Sequence, residues 1–151
     1  MSKIEEKLAA MGLSLPTPPP KGGVYSPAKT FCGGKLVYIS GCGPVIDAPV
    51  AGKLGVDMTT EEGYVHARNC MLNVLAVLKR EIGDLDRVKT LVKLTAFVAS
   101  GPDYYEHPKV ANGGSDLLNE LFGDVPTRSA VGMVALPGNI PVEIEGLFEI
   151  E

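Results

Sequence analysis

The chain has 151 residues, of which 45% are hydrophobic and 21% charged, and its formal net charge is −4. These values are ordinary for one globular domain with its own core, and they argue against a disordered chain. A negative net charge disfavours nucleic acid as a partner, because binding its phosphate backbone requires clustered Lys and Arg.

The sequence contains neither a signal-peptide pattern at its start, "MSKIEEKLAAMG", nor an apolar run long enough to span a membrane. The three cysteines, Cys32, Cys42 and Cys70, are odd in number and lack CxxC spacing, so neither a disulfide framework nor a zinc site is indicated. We therefore expect a cytoplasmic protein with no membrane partner and no zinc site. The sequence contains no motif for another metal or for an organic cofactor, so we expect neither.

We predict a single domain over residues 1–151. Its first part, residues 1–21, is predicted to form a short helix followed by an extended arm. Ile4, Leu8 and Met11 share one side of a helix over residues 3–11. The segment "LSLPTPPPKGG" predicts an extended arm, because prolines and glycines break both helices and central strands. The next segment, "KLVYISGCGPV", predicts a strand that ends at Gly41.

The longest helix is predicted over residues 60–82. Thr59 and Glu62 have the spacing of a capping box, and Gly83 suits a helix end. The second half of "DRVKTLVKLTAFVAS" predicts a buried strand. The segment "SGPDYYEHPKVANGGS" predicts a long polar, aromatic loop that could be partly helical. The segment "SDLLNELFG" predicts a second helix that ends at Gly123.

Two strands are predicted at the carboxyl end of the chain. In the last one, apolar residues alternate with Glu143, Glu145 and Glu149, so the apolar set should face the helices. Two helices can cover only one face of a sheet, which predicts an α+β fold with both helices on that face. The preceding strand, "SAVGMVAL", is apolar on both faces, and we expect a partner subunit to cover the second one.

The segment "PTRSAVGMVALPGNIPVEIE" resembles the signature of the reactive-intermediate deaminase family, RidA, also called YjgF. The segments "GGVYSPA" and "LVYISGCGPV" resemble two further family segments in the same order, so the likeness covers about residues 22–150. The amino-terminal arm and the Ser100–Ser115 loop are longer than in short members of this family. In this the chain resembles a divergent branch of the family that is often labelled endoribonuclease L-PSP or chorismate mutase-like.

This resemblance implies a chorismate-mutase-like fold, a homotrimer with active sites in clefts between subunits, and hydrolysis of 2-imino acids to 2-keto acids and ammonia. By the same resemblance, Arg128 would hold the substrate carboxylate and Glu143 would place the attacking water. Tyr25, Ser40 and Gly41 match the positions that line the rest of the cleft.

Arg suits such a role because its planar guanidinium binds a carboxylate through two parallel hydrogen bonds. We expect Arg128 and Glu143 to approach each other across the short "LPGN" turn through antiparallel pairing. Tyr104, Tyr105 and His107, in the long loop, are candidates for a lid that sets substrate size.

Each of these assignments has a simpler alternative. Arg128 could form an interface ion pair, Glu143 could be a solvated strand residue, Tyr25 could be a packing aromatic, and Ser40 could be a turn residue. The lid candidates could also be packing residues.

Pro102 falls where short family members often carry an Asn that contacts the site. This departure favours a second function, a non-catalytic module that binds small carboxylates. A ribonuclease is a third hypothesis, which the acidic charge and the absence of a catalytic His pair disfavour.

Overall fold

The computed structural model describes residues 1–151. Its eight main elements are, in chain order, α1 (Lys3–Ala10), β1 (Ala28–Phe31), β2 (Leu36–Cys42), α2 (Thr60–Ile82), β3 (Val88–Ala99), α3 (His107–Phe122), β4 (Thr127–Met133) and β5 (Val142–Ile150). The strands form one sheet in the order β1-β2-β5-β3-β4. Only the β3–β4 pair is parallel, so the predicted α+β fold with a mixed sheet is confirmed. No helix has the length and apolar character needed to cross a membrane.

Helix α2 has the predicted bounds because its end signals are local. The Thr59 hydroxyl accepts a hydrogen bond from the Glu62 amide at 3.2 Å, and the Glu62 carboxylate accepts one from the Thr59 amide at 2.8 Å. At the other end, Gly83 has a φ of 89°, a conformation that L side chains rarely adopt.

The alternation predicted for the last strand is confirmed. Val142, Ile144 and Phe148 of β5 are buried against the helices, whereas the intervening glutamates are partly exposed on the other face. Helices α2 and α3 pack together over the first face. They touch backbone to backbone, since a Cβ at Gly113 of α3 would lie 2.0 Å from the Tyr64 carbonyl oxygen of α2.

The predicted long loop up to Ser115 is wrong, because α3 already begins at His107. Pro108 is tolerated in the first helical turn, and a stripe of buried residues runs on from Val110. Gly113 and Gly114 suggest a loop in the sequence, but in the fold they lie inside the helix at its contacts with α2 and the sheet. The connection between β3 and α3 is therefore only Ser100–Glu106.

Four strands differ from the prediction. β3 includes all of Val88–Ala99, β2 continues to Cys42, and β4 is Thr127–Met133 where residues 129–136 were predicted. β1 was not predicted at all. β1 is a short edge strand whose residues are mostly exposed, so it lacks the apolar alternation that marks a strand in sequence.

The face of the sheet opposite the helices is covered by no helix of this chain. On that face Val131 of the edge strand β4 is 39% exposed, and Tyr38 of β2 is likewise 39% exposed. The expectation that a partner subunit covers this face stays a prediction.

Candidate functional site

A cavity of about 220 Å³ lies where the amino-terminal arm meets the end of β2 and the start of β5. It brings together four of the residues predicted for the site, Tyr25, Ser40, Gly41 and Glu143. We call it the Glu143 cavity. Its other lining residues come from the arm, the Cys42–Gly43 turn, α2 and the β4–β5 connection: Pro19, Pro20, Lys21, Gly22, Pro27, Cys42, Gly43, Val77 and Pro137.

The Glu143 carboxyl is half-buried and closely packed against the backbone of β2. A Cβ at Gly41 would lie 2.7 Å from Glu143 Cδ, so only glycine leaves room for the carboxyl there. Glu143 makes no salt bridge within the chain. Burial, and to a smaller extent the charge of Glu145, raises the pKa of the Glu143 carboxyl above its ordinary value. An unpaired, partly desolvated carboxylate of this kind is a good proton acceptor.

Hydrogen bonds to the backbone fix the polar wall of this cavity. The Ser40 hydroxyl donates to the Ser26 carbonyl oxygen at 2.6 Å and thereby ties the arm to the end of β2. The Tyr25 hydroxyl accepts from the Gly22 amide at 3.0 Å. Because that bond uses an oxygen lone pair, the Tyr25 hydroxyl can still donate its proton to a ligand.

Arg128 lies elsewhere, as the second residue of β4. It is paired with Leu94 of β3, which is buried under the helices, so its side chain points to the helix face of the sheet. One guanidinium nitrogen donates to Asn112 Oδ1 at 2.7 Å and to Ser115 Oγ at 3.2 Å. No carboxylate lies within 4.0 Å of the guanidinium, so its positive charge is oriented by neutral groups but not neutralised.

The expected approach of Arg128 and Glu143 across the short turn is wrong for a single chain. β3 lies between β4 and β5 in the sheet, so those two strands do not pair. Glu143 is paired with Phe97 and points to the face opposite the one that Arg128 occupies. One small molecule therefore cannot contact both side chains of the same chain.

Asn112 is a contact of Arg128 that the sequence analysis missed, because it assigned this stretch to a loop and aligned Pro102 with the family Asn. The early start of α3 places Asn112 and Ser115 three residues apart on one face of the helix, where both reach Arg128. An amide is thus present beside the Arg, and Pro102 no longer argues for its absence. The sequence did contain a signal for this contact: Asn112 and Ser115 are polar residues at helical spacing within an otherwise apolar stripe.

The three lid candidates line a second cavity, of about 620 Å³, separate from the Glu143 cavity. His107 Nε2 and Ser100 Oγ share a hydrogen bond of 2.9 Å. The ring of Tyr104 packs at right angles to His107, with ring centroids 5.3 Å apart. Within one chain these residues therefore do not close over Glu143.

Other reactive groups near the Glu143 cavity are poorly suited to catalysis. Burial raises the pKa of the Cys42 thiol to about 12, and burial likewise raises that of Cys70. Both thiols are therefore protonated near neutral pH. No group of three or more His, Cys, Asp or Glu side chains is placed to hold a metal ion. The chemistry available in this cavity is that of a carboxylate, a phenol and backbone groups.

Known proteins resemble the chain over nearly its whole length. The protein TCP17 of Trypanosoma cruzi is 37% identical, with 98% of this chain and 94% of that protein aligned. A 2-iminobutanoate/2-iminopropanoate deaminase of Dermatophagoides farinae is 29% identical, with 92% and 95% aligned. A crystal structure from Shewanella oneidensis, described as a putative endoribonuclease, superposes with a TM-score of 0.92 at 32% identity and covers 97% of this chain and 99% of its own.

The family-level comparison agrees with the fold and with the three sequence segments that suggested it. Residues 5–143 match the model of the family described as "YjgF/chorismate mutase-like, putative endoribonuclease". The match includes both the arm that lines the Glu143 cavity and the strand that carries Arg128. The chain therefore belongs to the YjgF/chorismate mutase-like family.

Proposed function

We propose that the protein hydrolyses 2-imino acids, and their enamine tautomers, to 2-keto acids and ammonia. The observation that carries this proposal is the unpaired, half-buried Glu143 carboxylate in a cavity that Tyr25, Ser40 and Gly41 also line. Similarity to a 2-iminobutanoate/2-iminopropanoate deaminase over 92% of the chain supports the same reaction class.

We further propose that each active site forms between two copies in a homotrimer. Arg128 and Glu143 point to opposite faces of the sheet, so a substrate that contacts both must lie between subunits. β4 is an edge strand and can reach a neighbouring molecule, and the face that carries Glu143 is not covered by helices. Both features suit an arrangement in which β4 of one copy approaches the Glu143 cavity of the next.

The chemistry requires only groups that this chain supplies. The guanidinium of Arg128 holds the substrate carboxylate and fixes the imine carbon near Glu143 of the other copy. Water attacks that carbon, a C–O bond forms, and the C=N π electrons move to nitrogen while Glu143 accepts the water proton. The nitrogen then takes up that proton from Glu143. The C–N bond breaks and ammonia leaves, while the remaining hydroxyl proton passes to the freed Glu143 carboxylate and the oxygen becomes the carbonyl of the 2-keto acid. Glu143 finally returns this proton to ammonia or to solvent. A protonated imine is already electrophilic, so no stronger activation is needed.

The alternatives have less support from the geometry. The carboxylate-binding module was favoured by Pro102, yet Asn112 supplies an amide at Arg128. For a ribonuclease we would expect histidines or clustered basic residues, but no histidine lines the Glu143 cavity and Lys21 is its only basic residue.

The proposal is tested by ammonia release from imines that an L-amino-acid oxidase generates in situ. We expect activity in the wild type and a loss of about 100-fold or more in Arg128→Ala and Glu143→Gln, the scale of an orienting or proton-accepting group. Glu149→Gln is the matched control, because Glu149 is on the same strand and face but outside the cavity. An inactive wild type, or equal rates in all four proteins, would refute the proposed reaction.

A further inference from the structure

The 620 Å³ cavity is built on a fixed frame at the carboxyl ends of β3 and β4. The Leu54 amide donates to the Ala99 carbonyl oxygen at 2.9 Å, and the Gly101 amide donates to the Leu54 carbonyl oxygen at 3.0 Å. The Ser100 amide donates to the Met133 carbonyl oxygen at 3.2 Å. These bonds tie all three walls, residues 53–56, 100–107 and 132–134, to the end of the sheet, so the cavity exists before any ligand binds.

The interior of this cavity is mainly apolar, with a single charged group. Its rim carries Val56, Tyr105 and Val134, which are 67%, 78% and 87% exposed. Lys53 is the only charged side chain in the lining, no acidic residue lines the cavity, and Lys53 forms no salt bridge. Burial lowers the pKa of His107, which is therefore neutral near pH 7. The cavity suits an uncharged apolar or aromatic group, and Lys53 opposes a cationic one.

The cavity lies on the same side of the sheet as Arg128 and along the same helix. His107 stands directly over Gly132, where a Cβ would lie 2.6 Å from His107 Nε2. Gly132 follows Arg128 by four residues on the same face of β4. Those four residues of β4 span about 13 Å at ~3.3 Å per residue, but the Arg128 guanidinium reaches Asn112 of α3. The Cα of Asn112 lies about 7.5 Å from that of His107 along the helix axis, since five residues rise ~1.5 Å each.

We propose that this cavity receives the side chain of the 2-imino acid whose carboxylate Arg128 holds, and that the enzyme prefers long apolar or aromatic side chains. The inference rests on the function proposed above. The bonds of an extended carbon chain zigzag, so each advances the chain by about 1.25 Å, and crossing ~7.5 Å takes roughly six bonds from the carboxyl carbon. The imine of phenylalanine, with roughly six bonds from the carboxyl carbon to the far carbon of its ring, reaches about that far, whereas that of alanine ends far short of the cavity.

The first test compares kcat/KM for imines generated in situ from alanine, phenylalanine and arginine. We expect the phenylalanine-derived imine to be preferred over the alanine-derived one by about tenfold or more, the scale of filling an apolar pocket. The arginine-derived imine has the reach but carries a cation towards Lys53, and it should be a poor substrate. Equal or better hydrolysis of the alanine-derived imine would overturn the assignment.

Two variants separate a side-chain pocket from a structural role. Val134→Trp should obstruct the cavity mouth and lower kcat/KM for the phenylalanine-derived imine about tenfold, with little effect on the alanine-derived one. Val65→Trp, at a partly exposed position of α2 outside the lining, is the control. Lys53→Glu should raise kcat/KM for the arginine-derived imine relative to the phenylalanine-derived one. A loss of stability alone would not change this ratio. If neither variant changes the ratio between substrates, the pocket assignment is wrong.

A failure of the proposed reaction can be told apart from a failure of the pocket. If the wild type hydrolyses no imine, the reaction is refuted, and calorimetric titration with phenylpyruvate and pyruvate then tests the pocket alone. Tighter binding of phenylpyruvate that is lost in Val134→Trp upholds the pocket. Equal affinity for the two keto acids overturns it.

Discussion

The contact between α2 and α3 makes Gly113→Ala the most informative single substitution for the fold. The added Cβ would lie 2.0 Å from the Tyr64 carbonyl oxygen, 2.9 Å from its carbonyl carbon and 3.0 Å from the Arg68 amide nitrogen. All three are backbone atoms of a long buried helix, so no side chain can turn away. Ordinary contact begins near 3.4 Å, and the helices must therefore part locally by about 1.4 Å, the difference between 3.4 and 2.0 Å.

The net cost follows from two opposing effects. Alanine in place of an interior helical glycine gains about 1 kcal/mol of helix propensity. Overpacking a core typically costs about 1–3 kcal/mol, and a backbone clash that separates two buried helices belongs at or beyond the upper end. We expect Gly113→Ala to lower the free energy of unfolding by about 2 kcal/mol or more.

Urea unfolding followed by circular dichroism measures this change. With a slope of about 2 kcal/mol per molar urea, the midpoint should fall by about 1 M at equal protein concentration. Gly114→Ala is the control in the adjacent position, where the nearest atom to an added Cβ is the side-chain atom Ile144 Cδ1 at 3.1 Å. It should change the midpoint little. A Gly113→Ala protein as stable as the wild type would refute the backbone contact between the helices.

Three further predictions concern the candidate site and its scaffold. Gly41→Ala should abolish imine hydrolysis while circular dichroism stays native, because its Cβ would occupy the space of the Glu143 carboxyl; full activity would contradict the packing. The kcat/KM of the wild type should fall as the pH is lowered, because only the ionised Glu143 carboxylate accepts a proton. Burial raises the pKa of Glu143, so this fall should begin at a higher pH than an ordinary glutamate would give. A pH profile that Glu143→Gln leaves unchanged would exclude this role. Arg128→Lys should weaken pyruvate binding, measured by calorimetry, about tenfold or more without unfolding, because the two-pronged bond to the carboxylate is lost; unchanged affinity would assign Arg128 to an interface.

The elements that the sequence predicted correctly are those whose signals lie close together in the chain. Thr59, Glu62 and Gly83 fixed both ends of α2, and the alternating glutamates of β5 fixed its orientation. Gly113 and Gly114 suggested a loop, because by propensity alone glycine disfavours a helix interior. Glycine is needed at these two positions because of contacts with α2 and with the sheet, which are distant in the sequence. The residues next to them in the chain therefore could not reveal that they lie in a helix. The same error hid Asn112 as a contact of Arg128.

The separation of Arg128 and Glu143 follows from the way the chain crosses the sheet. α3 joins two parallel neighbours, β3 and β4, and a parallel pair needs such a crossover over one face. The chain then returns past β3 to form β5, so the turn after β4 is not a hairpin although its sequence is short. β4 lies beyond β3 and is therefore an edge strand of the sheet. Its Arg128 faces α3 on one side of the sheet, whereas Glu143 of β5 lies on the opposite side. In the proposed reaction, Arg128 as carboxylate holder and Glu143 as proton acceptor can meet on one substrate only across two molecules. We therefore expect monomers to lack activity even though each chain remains folded.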